Sequence, residues 1–189
     1  MIAMVLRSEL PSSETVDLVD ERDIVTGTAS IRDCLEKGLL HRAVAVLVVR
    51  SAGEFLLQQR SKRDLWHPGL WTLSSTGHVK AGETYEKAAG RELREELGIS
   101  ARLARLGKHL LPPFRSGELT EREWVTLYVA RTDKPCRIDK EEVEGVKEVA
   151  APQVRAMFGD GSMTPDAVIL LTDYLKRREN PGSRSLTCL

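Results

Sequence analysis

The chain has little cysteine. Cys34, Cys136 and Cys188 are odd in number and far apart, and no two are spaced as a redox pair or a metal-binding pair. Their scarcity argues against a disulfide framework and fits a reducing cytosol. Net charge is also missing: 28 basic and 28 acidic residues cancel, which leaves no overall charge to hold a nucleic-acid polymer. Any affinity for phosphate must then come from local placement. Long apolar runs are absent too. The short stretch Met1 to Leu10 is broken by Arg7 and is too brief for a secretory signal, and no segment approaches the ~20 residues of a membrane span. Internal repeats and low-complexity segments are likewise lacking. These absences lead us to expect a cytoplasmic protein without membrane or nucleic-acid partners. What is present is a 41% hydrophobic content in 189 residues, enough to build the core of one domain.

Residues 1–13 read as a flexible lead-in, 14–178 as the domain, and 179–189 as a tail. From Glu14 the segment Thr-Val-Asp-Leu-Val-Asp alternates, and Ile24 to Thr28 reads as its hairpin partner. Ser30 caps a short helix through Lys37, stopped by Gly38. The run Ala43 to Val49 is apolar on both faces, β-branched and too short for a helix, which predicts a buried central strand. Phe55 to Arg60 pairs back as the next strand. The Trp-, Pro- and Gly-rich stretch Leu65 to Trp71 is a loop, and Thr72 to Thr76 a short strand. Leu103 to Leu111, Glu123 to Arg131 and Val143 to Val149 complete the strands, with Pro112 to Thr120 as a loop. Pro152 to Phe158 and Thr164 to Arg178 are helices, the second with Pro165 at its first helical position. Strands and helices mixed in this way indicate a layered α/β or α+β fold.

The informative helix spans Thr84 to Leu97. Tyr85, Ala89, Leu93 and Leu97 form one apolar stripe for the core. Glu92, Glu95 and Glu96 share the neighbouring face at i, i+3 and i+4, where like charges repel by a few tenths of a kcal/mol per pair, roughly. They also stand toward the helix C-terminus, where the dipole disfavours anions. A hard divalent cation such as Mg²⁺ or Mn²⁺ would relieve the repulsion. Gly98 and Ile99 supply the left-handed stop and its apolar follower.

A solvated acidic face is the plain alternative, and the wider spacing decides against it. Gly77, five residues, Glu83, seven residues, then Arg91-Glu92-Leu93, one residue, Glu95-Glu96, one residue, Gly98-Ile99 resembles the Nudix box at every specified position. Chance occurrence in a chain of this length is below about one in a million at typical residue frequencies. The resemblance implies an α/β/α sandwich around a mixed sheet in a single domain, and Mg²⁺- or Mn²⁺-dependent hydrolysis of a pyrophosphate linkage in a small-molecule diphosphate. It implies that Glu92, Glu95 and Glu96 bind metal, that the general base is Glu95 or Glu96, that the Gly77 carbonyl is a further ligand, and that Glu83 and Arg91 pair to hold the box. A homodimer is compatible with it.

Further segments resemble the branch of the family that includes type I isopentenyl diphosphate isomerase: Leu40 to Ala43, Leu56 to Ser61, Pro68 to Thr72 ahead of Gly77-His78, and Glu121-Arg122-Glu123. That isomerase needs a cysteine where this chain has Thr76, and a metal-binding histidine where it has Cys34. Hydrolysis is therefore the first expectation, with an isomerase or a non-catalytic diphosphate-binding module as alternatives. His41 and His78 carry two readings: each donates a ring N–H to a nearby carbonyl, the structural reading that we favour, or they retain a second metal or touch the diphosphate. Arg60, Lys62 and Arg63 are the phosphate candidates, because a guanidinium fork suits phosphate oxygens. Glu121 and Glu123 share a strand face and are candidates for the metal or substrate site, and Glu142 and Glu144 lie where many Nudix enzymes place an extra base. Trp66, His67 and Trp71 read as loop packing.

Overall fold

The computed structural model describes residues 14–64 and 66–180. The chain starts with a hairpin, β1 (Thr15–Val19) and β2 (Val25–Ser30), in antiparallel register from Thr15 opposite Ser30 to Val19 opposite Val25. Its turn is held by Asp20, whose Oδ1 accepts from the backbone N–H of Arg22 at 2.8 Å and of Ile24 at 2.9 Å. Helix α1 (Ile31–Lys37) follows; Ser30 Oγ accepts from Asp33 N at 3.1 Å, and Gly38 ends it at φ 61°.

Strand β3 (His41–Val49) is the axis of the molecule. It pairs in parallel with β10 (Glu123–Arg131) and antiparallel with β6 (Ser75–His78), β4 (Phe55–Arg60) and β1, so the nine-stranded sheet is mixed. Its side chains alternate between two cores. Ala43, Ala45, Leu47 and Val49 face Val154 and Met157 of α3 (Ala151–Met157) and Ala167, Leu170 and Leu171 of α4 (Pro165–Glu179). Val44, Val46 and Val48 face Ala88, Ala89, Leu93 and Leu97 of α2 (Tyr85–Leu97). From Ala43 to Val49 the strand is buried on both faces and apolar throughout. Helices on both sides make the expected α/β/α sandwich. Leu93 and Leu97 are fully buried, each stabilising the α2 contact by about 1.5–3 kcal/mol.

Thr84 caps α2 by accepting from Lys87 N at 3.3 Å, and Gly98 ends it at φ 65° with Ile99 N donating back to Leu93 O at 3.3 Å. The box helix is therefore fixed at both ends. The strands β7 (Leu103–Leu110) and β11 (Val143–Val149) complete the sheet, on β10 and β4 respectively.

Two segments differ from expectation. The strand foreseen over Thr72 to Thr76 is two strands with different partners: β5 (Trp71–Thr72) pairs with β4, while β6 pairs with β3. Ser74 makes the switch, its buried hydroxyl accepting from Val48 N at 2.7 Å and donating to Leu56 O. The loop foreseen over Pro112 to Thr120 contains a small hairpin, β8 (Phe114–Ser116) and β9 (Leu119–Glu121), turned at Gly117 with φ 60°. Three-residue strands are too short to show periodicity. Helix α4 runs through Glu179, one residue past the expected domain end. The proposed lead-in and the rest of the tail lie outside the described residues.

Candidate metal and substrate site

Helix α2 presents its acidic face to β6. Glu92 and Glu96 are buried, at 8% and 6% exposure, whereas the Glu95 side chain is 54% exposed. Arg91 ties the group together. Its Nε and one Nη donate to the two Glu83 oxygens at 3.1 and 2.8 Å, that same Nη donates to His78 O at 3.0 Å, and the other Nη reaches Glu92 at 2.6 Å and Glu95 at 3.2 Å. A fork that meets a carboxylate with two nitrogens is beyond lysine. The Arg91 hydrogen bonds draw Glu83 below the usual carboxylate range. Gly77, on β6, lies directly under the Glu92 carboxylate.

Glu92 and Glu96 open into a cavity of about 410 Å³ whose lining carries nine carboxylates, those of Glu14, Asp64, Glu92, Glu96, Glu121, Glu123, Glu141, Glu142 and Asp166. Among the described residues, two guanidinium groups, Arg60 and Arg63, join them. Burial pushes Glu92 up to about 7 against the attraction of Arg91. Burial raises Glu96 well above the usual range, opposed by Ser75 and reinforced by repulsion from Glu92 and Glu142. Glu121 and Asp166 are raised chiefly by burial, and so is Glu142. So many carboxylates whose ionisation burial opposes suit a site that takes divalent cations together with a polyanion.

A second group of donors lies across the cavity. His41, His78 and Glu123 each offer one atom, all within 4.8 Å of one another. His41 Nδ1 lies 2.9 Å from Leu39 O, so that nitrogen carries the proton and donates. Its Nε2, fully buried and without a hydrogen-bond partner, points at Glu123, 3.5 Å away. His78 Nδ1 is 3.3 Å from Glu14, and Nε2 is 3.7 Å from Glu123. Both rings are thus anchored through Nδ1 and turn Nε2 to a common point, the arrangement that outer-shell partners impose on metal-binding histidines. Burial works against a charged His41, but the closeness of Cys34 and of the Glu123 carboxylate outweighs it and lifts the ring to about 10. The structural expectation for His41 covers only Nδ1. For His78 the partner of Nδ1 is a carboxylate, not a carbonyl.

The phosphate candidates do not converge. Arg60 lines the cavity, but its guanidinium donates to Trp66 O at 2.8 Å, Asp64 at 2.6 Å and Thr76 at 3.4 Å. Arg63, with an 82% exposed side chain, stands at the mouth beside Glu141; Lys62, 74% exposed, pairs with Glu144 at 3.5 Å. Glu142 lines the cavity, and Glu144 is not among its lining residues. Glu14, Gln58, Asp64, Glu141 and Asp166 were not foreseen, because each reaches the cavity from an element distant in sequence from the box. Gln58 alone had a signal, a polar residue closing the apolar run Phe55 to Leu57.

Comparison with known proteins agrees with this architecture. The family model described as NUDIX domain matches residues 39–167. Isopentenyl-diphosphate Delta-isomerase 2 of Photorhabdus laumondii is 35% identical over 147 residues, 78% of this chain and 83% of the relative. The uncharacterized Nudix hydrolase PA4841 of Pseudomonas aeruginosa is 35% identical over 167 residues, 86% of this chain and 94% of the relative. Among solved structures, the Deinococcus radiodurans protein DR0079 superimposes with a TM-score of 0.71 at 25% identity, covering 85% of this chain and 98% of that one. A mixed sheet between helices with an intact box on one of them defines an enzyme of the Nudix hydrolase class. The chain belongs to the Nudix family, in the branch that resembles isopentenyl diphosphate isomerase. No helix among the described residues is long and apolar enough to cross a membrane.

Proposed function

We propose that the protein hydrolyses a pyrophosphate linkage in a small organic diphosphate, nucleoside or other, using Mg²⁺ or Mn²⁺, in the cytoplasm. The observation that carries this reading is the buried pair Glu92 and Glu96 facing a cavity with nine lining carboxylates. A diphosphate could not enter so acidic a space without cations. Glu92 and Glu96, with the Gly77 carbonyl, would hold the ion, and Glu95, exposed and paired with Arg91, would join them only by turning toward the cavity. The bound cation supplies charge for the phosphoryl oxygens and acidifies water.

The chain's own residues do the rest. Arg91 holds one oxygen of Glu92 and leaves the other free. Glu96, whose carboxyl burial makes more basic than an exposed one, would take a proton from the attacking water. Arg63, exposed where it lines the cavity, would meet the incoming phosphates, with Lys62 beside it in sequence adding charge. Arg60 braces the loop carrying Asp64 and Trp66, which shapes the wall against which the organic group lies.

The test is incubation with Mg²⁺ and a panel of nucleoside diphosphates, dinucleotides, nucleotide sugars and prenyl diphosphates in ¹⁸O water. Label in a phosphate product is the expected result, abolished by Glu96→Gln. A second reading, an isomerase acting on a prenyl diphosphate, is favoured by the His41, His78 and Glu123 group. Against it stands Thr76, a poor proton donor at neutral pH where a cysteine is required. Deuterium exchange into isopentenyl diphosphate without phosphate release would reverse the choice.

A further inference from the structure

Strand β4 sends two adjacent glutamines to opposite faces, and they are treated differently. Gln59 Nε2 donates to Gly69 O at 2.9 Å and pins the loop after the strand. Gln58 is 3% exposed and lines the cavity. Its Nε2 donates to Glu96 Oε2 at 3.2 Å, and its Oε1 is buried without any partner. As a ligand to a cation Glu96 would be ionised and could only accept hydrogen bonds, and the amide is already turned that way, with its NH₂ toward Glu96 and its carbonyl away. A residue serving only the core would avoid this half-satisfied state, as its neighbours Leu56 and Leu57 do. Ser75, across on β6, also has a buried hydroxyl without a hydrogen-bond partner.

We infer that Gln58 is a positioning residue of the metal centre: its N–H holds Oε2 of Glu96 so that Oε1 stays free for the ion, and its carbonyl accepts a hydrogen bond from a water in the cavity. The inference rests on the proposal that Glu96 holds a divalent cation. A buried amide is well suited to the task, since it has one donor side and one acceptor side and adds no charge to an acidic site.

The experiment uses Mn²⁺ alone as the probe. Free Mn²⁺ is followed by electron paramagnetic resonance, and water-proton relaxation reports the water around bound Mn²⁺. Gln58→Met keeps the length and burial of the side chain and removes both polar ends. Gln58→Asn keeps the amide but withdraws it by one methylene, and serves as the second variant should the first not fold. Glu96→Gln is the reference. The expected result for both Gln58 variants is an unchanged thermal midpoint without metal, a 10- to 100-fold loss of Mn²⁺ affinity, and an altered relaxation enhancement at saturation, which lost packing alone would not produce. Wild-type affinity and relaxation in both variants, with affinity lost in Glu96→Gln, overturns the role of Gln58 alone. Wild-type affinity in all three means that no ion sits on Glu96, and both proposals fall.

Discussion

Gly77 and Glu92 occupy space that only one of them can use. A Cβ on residue 77 would stand 2.8 Å from Glu92 Cγ and nearer still to its carboxylate, although β6 and α2 are separate elements. The box needs glycine here because the carboxylate rests on the backbone, not because φ is unusual. Gly77→Ala would displace the end of a side chain and leave the backbone in place, so the fold should survive at a cost of about 1–3 kcal/mol. The expected outcome is a cooperative urea transition with at least a hundredfold loss of phosphate release. Full activity of the variant at saturating metal would show that the Glu92 position is immaterial.

Arg91 answers to three carboxylates and a carbonyl at once, and the hydrogen bonds with Glu83 push its own ionisation further up. Arg91→Lys keeps the charge but cannot reproduce the fork. Removing part of such a network from a partly buried position should lower stability by about 1–3 kcal/mol. Glu83→Gln should cost less, and the double variant less than the sum of the two, as measured by urea denaturation in a double-mutant cycle.

The box and the layers around it are local patterns and are legible as such. The alternation of β3 between two cores follows from an unbroken β-branched run, and Thr84 and Gly98 bound α2 by the chemistry of caps. The cavity is a different matter. Glu14 enters from the first hairpin, Gln58 from β4 and Asp166 from the first turn of α4, and only the parallel pairing of β10 with β3 brings Glu123 opposite His41. Nothing in the spacing of those residues encodes their meeting. Arg60 shows the converse, for its place at the end of a strand is read correctly while its partners, Asp64 and the Trp66 carbonyl, depend on a loop conformation that sequence does not disclose.

Without metal, the protein should lose stability as pH rises. Glu92 is raised from 4.5 to about 7 on folding, so between those values the folded state binds more protons than the unfolded one and stability falls with pH. His41, raised from 6.5 to about 10, contributes stability that is full below 6.5 and lost as pH climbs through 10. The two windows adjoin and the effects share a sign. Glu14 and Glu83 are lowered, so their contribution is present above 4.5 and fades only in more acidic solution. Calorimetry of the chelator-treated protein should show a thermal midpoint falling from pH 5 to pH 9, worth a few kcal/mol to order of magnitude. Mn²⁺ competes with the protons and should restore more at pH 8 than at pH 5; a flat profile would remove the raised carboxyl from the account.

The two donor groups predict two classes of bound ion. Glu92 and Glu96 offer oxygen only, the preference of Mg²⁺ and Mn²⁺, whereas His41, His78 and Glu123 offer two imidazole nitrogens and a carboxylate, which suits softer first-row ions such as Zn²⁺ as well. Titration calorimetry with Zn²⁺ should therefore show a site that Glu96→Gln leaves intact and His78→Asn removes. Mn²⁺ should lose the other site in Glu96→Gln. Glu14→Gln keeps a partner for His78 Nδ1 but weakens it, since a neutral amide oxygen replaces the carboxylate 3.3 Å away, and the Zn²⁺ affinity should drop roughly 10-fold. Because binding to imidazole displaces protons, the Zn²⁺ affinity should also rise with pH as the His41 imidazolium gives up its proton. If His78→Asn binds Zn²⁺ as tightly as the wild type, the histidines serve the hairpin and strand around them, and the chain has one metal centre.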